Sequence, residues 1–600
     1  MLIGKHLKKY YAKYWWLFVI GIFALIGVDY LNTIIPEQLG ALVRLFSNHT
    51  IASEINVADI LKIIIYLLGS AFLIMIGRIV FRLTIFRASR NIESELRLEM
   101  FLKAERLSQT YYHSTKVGTI MAWFTSDLES IEEYLSWGTV MLIDAFFMSI
   151  FVIVKMFLLN WALSLVAIIP IILIIVWGAL VEKYMSLKWL EKQESNDRIY
   201  DFAQETFTGI RVIKAFVKET KELFAFSKIA IKNKKINIEF ARMSILFDII
   251  ISLIINISLC IILGCGGYLV YSCVTGTPFE LFGTKILLEA DSLVTFIGYF
   301  DTLIWPVMAL GQIITMRSRS KASLERISQY LEQNEDIVHI QNPIHLSNPK
   351  GKITFNNFSF KYPTSNSNSL SNISLEIKPG ELIGVVGKIG SGKTTLMNSL
   401  LHLYNIEPNS ILIDDIDLMK IDFSELRDII AFVPQDNFLF SDKIKNNISF
   451  GADNPTDEEI KKAAIFSDVH SNIENFPNKY DEICGEQGVT LSGGQKQRIS
   501  ISRAFIKNAP IMVLDDSVSA VDTKTEETIL KNIRDERKGK TTILISSRVS
   551  TVANMDRIIV LNDGKLEAFD THDNLLKISP TYSRMVILQQ LEDEVKGGNL

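Results

Sequence analysis

Nine consecutive residues, Gly387-Lys-Ile-Gly-Ser-Gly-Lys-Thr-Thr395, have the spacing of a phosphate-binding loop. They follow the apolar run Leu382–Val386 and precede a helical pattern, the strand–loop–helix setting that such a loop requires. Gly387, Gly390 and Gly392, with Ser391 between them, let backbone N–H groups point inward at phosphate oxygens, and the following helix adds its positive end. Lys393 is placed to reach the β- and γ-phosphates and Thr394, next to Thr395, to hold Mg²⁺. Downstream, Ile511-Met-Val-Leu-Asp515 is an apolar strand ending in an acid. Alone that pattern is commonplace; after a phosphate loop, Asp515 is expected to bind Mg²⁺ through water and complete a nucleotide site.

Between loop and strand stands Leu491-Ser-Gly-Gly-Gln495, followed by Lys-Gln-Arg498. This run resembles the signature sequence of the ABC transporter ATPases, and further family elements follow in order. Tyr362 stands where the family stacks an aromatic ring on adenine. Gln435, within Val433-Pro-Gln435, takes the Gln-loop position, with catalytic and Mg²⁺ roles. Glu486 takes the place of the acid that contacts the coupling helices, and Asp522 closes Ser519-Ala-Val-Asp522, the D-loop pattern. The resemblance covers nearly the whole chain. It implies a half-transporter of the ABC exporter type, using ATP and Mg²⁺: an all-α six-helix transmembrane domain followed by an α/β P-loop nucleotide-binding domain. Glu205–Phe216 is similar to the family's second coupling segment, and Tyr111–Lys116 marks the first by analogy. A solvated, charged helix surface is the ordinary account of both.

Two residues depart from the family. Where a glutamate usually acts as general base on the attacking water, this chain has Asp516, and where a switch histidine faces the γ-phosphate it has Ser547. The aspartate is one methylene shorter, and a misplacement of ~1 Å can cost about 10²-fold in rate. The signature is intact, and in this family it acts on the nucleotide held by the partner's phosphate loop. Ser492, Gly493, Gly494 and Gln495 should therefore complete a partner's site, Ser492 and Gly494 donating to the γ-phosphate. The expectation is a heterodimer with a slow site of this chain's own, resembling the degenerate-site subunit of bacterial heterodimeric multidrug exporters. A homodimer in which Asp516 serves as base, and an ATP-gated channel or regulatory membrane protein, fit the same residues. A soluble ABC protein of DNA repair or translation does not fit the spans that precede the ATPase motifs.

Those spans are the elements that must carry the rest. The 600 residues exceed one ordinary domain. With 48% hydrophobic residues, 21% charged and a mean hydropathy of +0.24, the chain is neither disordered nor ordinarily soluble. Six apolar stretches, near 15–43, 58–86, 137–159, 161–182, 245–272 and 286–315, are each long enough to cross a bilayer. Asn160-Trp161 is the expected turn of a tight hairpin between the third and fourth. Met1–Tyr14 is basic and amphipathic, without a signal-cleavage site, and is expected to lie on the membrane surface before the first span. No additional peptidase domain is expected ahead of it. Thirteen basic residues between Lys183 and Arg242, against only Arg44 and Lys285 in the alternate loops, place both termini and the ATPase domain in the cytoplasm, by expectation of a bacterial plasma membrane. The expected domains are 1–316 transmembrane, 317–350 linker and 351–590 nucleotide-binding.

Charge excludes one partner class. Residues 1–320 carry 31 Lys and Arg against 27 Asp and Glu, and neither half is basic enough for a nucleic-acid binder. Four cysteines form no metal or disulfide pattern. Within the spans, Asp144, Asp248 and Asp301 are candidates for attracting a cationic amphiphile, with Phe146, Phe147, Phe296, Phe300 and Trp305 adding aromatic surface. Pairing of these acids with Arg78 or Arg82 is the ordinary alternative. Pro306 is expected to kink the sixth span. Drugs or lipids, the latter from the surrounding membrane, are the expected cargo.

Overall fold

The computed structural model describes residues 5–48, 57–277, 279–281, 284–337, 342–363, 365–485, 488 and 490–596. It comprises two compact units, Met1–Glu105 with Val117–Gln333, and Arg106–Lys116 with Asn334–Leu600.

Among the described residues of the first unit, six helical stretches are long and apolar enough to cross a membrane. Helices α1 (Lys5–Asn32) and α2 (Ile34–Asn48) form the first, α3 (Val57–Phe81) the second and α4 (Thr139–Leu159) the third. Helices α5 (Trp161–Thr208), α6 (Glu219–Val274) and α7 (Ala290–Leu331) supply the others. At 1.5 Å per residue α5 is about 72 Å long, more than twice a bilayer core of roughly 30 Å. The hairpin at Asn160 is as tight as expected. Its extended backbone ends α4, and its side-chain oxygen accepts from the Leu163 amide at 3.0 Å to cap α5. Large apolar side chains such as Ile65, Leu158 and Ile169 lie exposed on the helices, as surfaces meant for lipid do.

Four details differ from the sequence reading. Lys5–Tyr14 is the start of α1, with no separate surface helix, because Lys9 and Lys13 pair with Glu99 and Glu95. The first span breaks at Thr33, since Pro36 in the first turn of α2 brings no N–H to bridge the two helices. Ahead of the sixth span, Phe279–Leu281 and Thr284–Ile286 pair as an antiparallel hairpin, and the helix begins only at Ala290. Residues 317–331, expected as linker, continue α7, because Arg326 binds Asp127 (Nη2–Oδ1 2.6 Å) and Ser323 donates to the same carboxylate. Helix α7 runs on through Pro306.

The second unit is built on two sheets. Strands β1 (Ile353–Phe360), β2 (Leu370–Ile377), β4 (Ile411–Ile413) and β5 (Ile416–Asp417) form an antiparallel sheet in the order β2-β1-β4-β5. The six-stranded sheet contains β3 (Leu382–Gly387), β6 (Ile430–Val433), β7 (Ile511–Asp515), β8 (Thr541–Ile545), β9 (Arg557–Asn562) and β10 (Lys565–Asp570), ordered β10-β9-β3-β8-β7-β6. All its pairs are parallel except β9–β10. Strands β7 and β8 are buried at every position, as central strands of a parallel sheet covered on both faces should be. Leu396 and Leu400, from helix α8 (Lys393–Leu400), pack into the core beneath β3.

Candidate functional site

The parallel register decides which chain segments meet. Ile545 on β8 lies opposite Val385 on β3 and Asp515 on β7, so the segments leaving all three strands emerge together at the carboxyl edge of the sheet. Open parallel sheets bind their ligands at that edge. A cleft of about 500 Å³ there is lined by Tyr362, Gly390, Gly392, Lys393, Thr394, Thr395, Gln435, Asp515, Asp516 and Ser547.

Two glycines of the phosphate loop, Gly387 and Gly392, are needed for space. A Cβ on Gly387 would stand 2.2 Å from the Leu561 carbonyl oxygen, and one on Gly392 (φ +95°) 2.5 Å from Leu370 Cδ2. Lys393 folds back, its ammonium donating to the carbonyls of Gly387 (2.9 Å) and Lys388 (3.0 Å). Burial lowers its pKa, which Asp515 and Asp516 oppose. Burial likewise raises both aspartates, against Thr394 and Lys393 for Asp515 and against Ser519 and Lys393 for Asp516. Asp515 Oδ2, Asp516 Oδ1 and Ser391 Oγ are buried without a hydrogen-bond partner. Such groups are costly unless a ligand satisfies them. Two carboxylates, a loop of amides, an ammonium and the Thr394 hydroxyl fit a nucleotide triphosphate with Mg²⁺.

The Tyr362 hydroxyl lies 3.0 Å from Thr395 Oγ1, and its ring packs edge-on to Phe360 and Tyr404. Asp516 has a left-handed backbone (φ +46°), which aspartate tolerates better than most residues, and its amide donates to the Ile545 carbonyl at 3.1 Å. The hydrogen bond from the Ser547 amide draws Asp516 toward ionisation.

The signature residues lie outside this cleft. Ser492 caps helix α9 (Gly493–Ile506) and shares a reciprocal capping box with Gln495. Ser492 and Gly493 are exposed. Asp522 caps α10 (Thr523–Glu536), accepting from the Thr525 amide at 3.1 Å, and those bonds hold its carboxyl below the usual range. Glu486 lies outside the described residues.

One contributor escaped the sequence reading, and another was read without a role. Asp563 and Gly564 line the cleft from the β9–β10 turn; Asp-Gly between apolar runs is the available signal for such a turn. Gln497, buried on α9, accepts from the Ala520 amide at 3.1 Å and donates to the Asp516 carbonyl at 3.5 Å, joining the signature helix to the segment that follows β7. The run Lys-Gln-Arg498 contains it, but its contacts with Ala520 and Asp516 leave no mark in the sequence.

Comparison with known proteins agrees with this geometry. Residues 18–307 match the ABC transporter transmembrane region and residues 370–519 the ABC transporter family model. A probable multidrug resistance ABC transporter ATP-binding/permease protein of Bacillus subtilis, YheI, is 32% identical over 601 residues, covering 99% of both chains. The chain belongs to the ABC transporter family. In that family's terms it is a half-transporter, an integral membrane protein whose ABC ATPase domain hydrolyses ATP coupled to transport. An ATP-dependent lipid A-core flippase of Desulfotalea psychrophila is 32% identical over 517 residues, 84% of this chain and 85% of that one. The fold is also that of a bacterial Atm1-family ABC exporter solved with ATP bound, at a TM-score of 0.77 and 23% identity, covering 95% of this chain and 99% of that one.

Proposed function

We propose that this chain is one half of an exporter moving hydrophobic or amphiphilic compounds, drugs or lipids, out of the cytoplasm or inner leaflet of a plasma membrane. Its ATPase domain and both termini face the cytoplasm, and its partner is a second, non-identical half-transporter. The observation carrying this reading is the pair Asp516 and Ser547 at one end of a cleft otherwise equipped for ATP.

The loop amides and Lys393 hold the phosphates, Tyr362 takes the base, and Thr394, Gln435 and Asp515 hold Mg²⁺. Mg²⁺ held by those residues would supply positive charge to offset that of the phosphates. Asp516 orients the attacking water and accepts its proton, with one methylene less reach than a glutamate, and Ser547 brings no cationic ring to the γ-phosphate. This cleft is therefore the slow one. Ser492, Gly493 and Gly494 close over the partner's nucleotide, with the start of α9 behind them. The exposure of Ser492 and Gly493, and the absence of all three from the lining of this chain's own cleft, suit that role. The turn between α5 and α6 suits a docking role too. It exposes Val212, Phe216 and Val217, the last at φ +52°, a backbone that a β-branched residue rarely adopts.

The test is to purify the tagged full chain from its native membrane, measure ATPase activity and identify the chain that accompanies it. Turnover only with a second half-transporter bearing glutamate and histidine at the matching positions is the expected result. Brisk turnover by this chain alone would establish the homodimer. Uphill transport in sealed vesicles, without ohmic current, separates the exporter from a channel.

A further inference from the structure

The charges inside the membrane unit are arranged differently from what the sequence suggested. Asp144 pairs with neither arginine; it accepts a hydrogen bond from Trp305 Nε1 at 2.8 Å. Among the described residues, Arg78, Arg82 and Asp301 take part in no ion pair, and all three are exposed. Yet Arg78, Arg82, Asp144 and Asp301 line one cavity of about 540 Å³. Arg78 and Arg82 are one turn apart, on one face of the second span. Asp301 is one turn from Trp305 on α7. Asp29, wholly buried, faces Asp144 and is not among the cavity's lining residues. Unpaired charges in a membrane helix are costly and are retained for a pathway or a ligand.

A second cavity of about 1,010 Å³ shares Trp137, Met141 and Trp305 with the first. Its wall is mostly apolar, with Ile174, Ile251 and Met308 among its residues, and Asp248 and Glu133 are its acids. Phe296 and Phe300 are instead packed between helices. Arg82 opens a π-helical turn, Arg82–Phe86, and Trp137 lies in another, Tyr134–Gly138. Such turns re-aim side chains and recur at functional sites.

Resting on the exporter reading above, we propose that these adjoining cavities select a zwitterionic amphiphile. Arg78 and Arg82 take its phosphate or carboxylate, Asp301 and Asp144 take its ammonium, and the apolar cavity takes its tail. In the first cavity two guanidiniums stand against two carboxylates, a charge-balanced wall for the head group. A purely cationic head meets the arginines, and a purely anionic head meets Asp301, each with like-charge repulsion. The guanidinium fork suits phosphate, and the pair of tryptophans between the cavities suits the junction of head and tail.

The test uses the full-length protein, with whichever half-transporter accompanies it, in nanodiscs. Three single-chain probes of equal tail length carry phosphocholine, trimethylammonium or phosphate heads, and equilibrium binding is measured for each. The phosphocholine probe should bind about tenfold tighter than either singly charged probe. Arg82→Gln should abolish its advantage over the trimethylammonium probe, and Asp301→Asn its advantage over the phosphate probe. Equal or tighter binding of a singly charged probe, or an unchanged ranking in both variants, would overturn the proposal. The ranking on the unaltered protein decides the matter if a variant fails to fold. ATP-driven flipping of a labelled zwitterionic phospholipid in proteoliposomes identifies the leaflet as the source; transport of the single-chain probe alone identifies the aqueous phase. Absence of ATP-driven movement of any amphiphile removes the exporter reading, whereas head-group ranking is read without turnover.

Discussion

The phosphate-loop half-site and the signature half-site belong to one ATPase domain but are built on opposite principles. The phosphate loop is left unfinished. Asp515, Asp516 and Ser391 keep buried oxygens without partners, and Lys393 rests on the carbonyls of its own loop. The signature is saturated within itself. Ser492 and Gln495 satisfy one another, Gln497 ties α9 to Ala520, and Asp522 caps α10. An unfinished cluster in a cleft leaves polar atoms for a ligand to satisfy, whereas the start of α9 is self-satisfied and exposes Ser492 and Gly493. The difference shows why a change at Asp516 need not touch the signature: the two share a domain, but not a cleft.

The sharpest break between the halves should come from Lys393→Ala. ATP binding to this chain should fall by roughly 10²-fold or more, because no other cation lines the cleft among the described residues. Photolabelling with an azido-ATP measures it; unaltered labelling would sink the phosphate-loop assignment. Ser492→Arg should spare that labelling yet cut ATPase activity of the assembled transporter by about 10²-fold, from the loss of a γ-phosphate donor. Normal turnover in this variant would remove the signature's role in trans.

Acid should separate the halves by stability. His402, just beyond α8, is 4% exposed and stacked on Phe423. Burial pushes it down to about 4, Arg427 adding to the effect and Asp417 opposing it. Below about 6.5 the unfolded chain takes a proton that the folded domain refuses, so stability is lost as pH falls from 6.5 toward 4. The loss should be about 2 kcal/mol between pH 7 and 5. Amide exchange should show α8 losing protection ahead of α9. His402→Asn, compatible with the left-handed backbone at φ +51°, should flatten the slope. The smallest change is expected from Asp516→Glu with Ser547→His, which should raise hydrolysis at this chain's own cleft by about tenfold. No gain in single-turnover assays would mean that the cleft is limited by something other than those two side chains.

What was legible in the chain was whatever is covalently local. The phosphate loop is nine adjacent residues, the signature five, and each span announces itself by length and apolarity. Asn160 could be read as a turn because it interrupts an otherwise unbroken apolar run. The Asp563-Gly564 turn carried a local signal, but its place at the cleft depends on β9 lying beside β3. Lys155, Glu37, Thr33 and Tyr299 form a polar knot at the break between α1 and α2, with Lys155 donating to Thr33 at 2.7 Å and Tyr299 to Glu37 at 2.7 Å. These residues lie up to 266 positions apart in the chain, and nothing local joins them.

The sequence by itself therefore determined the family, the six spans and the motif residues that line the cleft, Asp516 and Ser547 among them, because motif spacing and hydrophobic length are properties of contiguous residues. Only the tertiary structure decided which charges meet. Arg78, Asp144 and Asp301 could pair or stand apart according to how their helices rotate and pack. A turn of 100° per residue moves a side chain from a neighbouring helix to a cavity, with no trace in its immediate sequence.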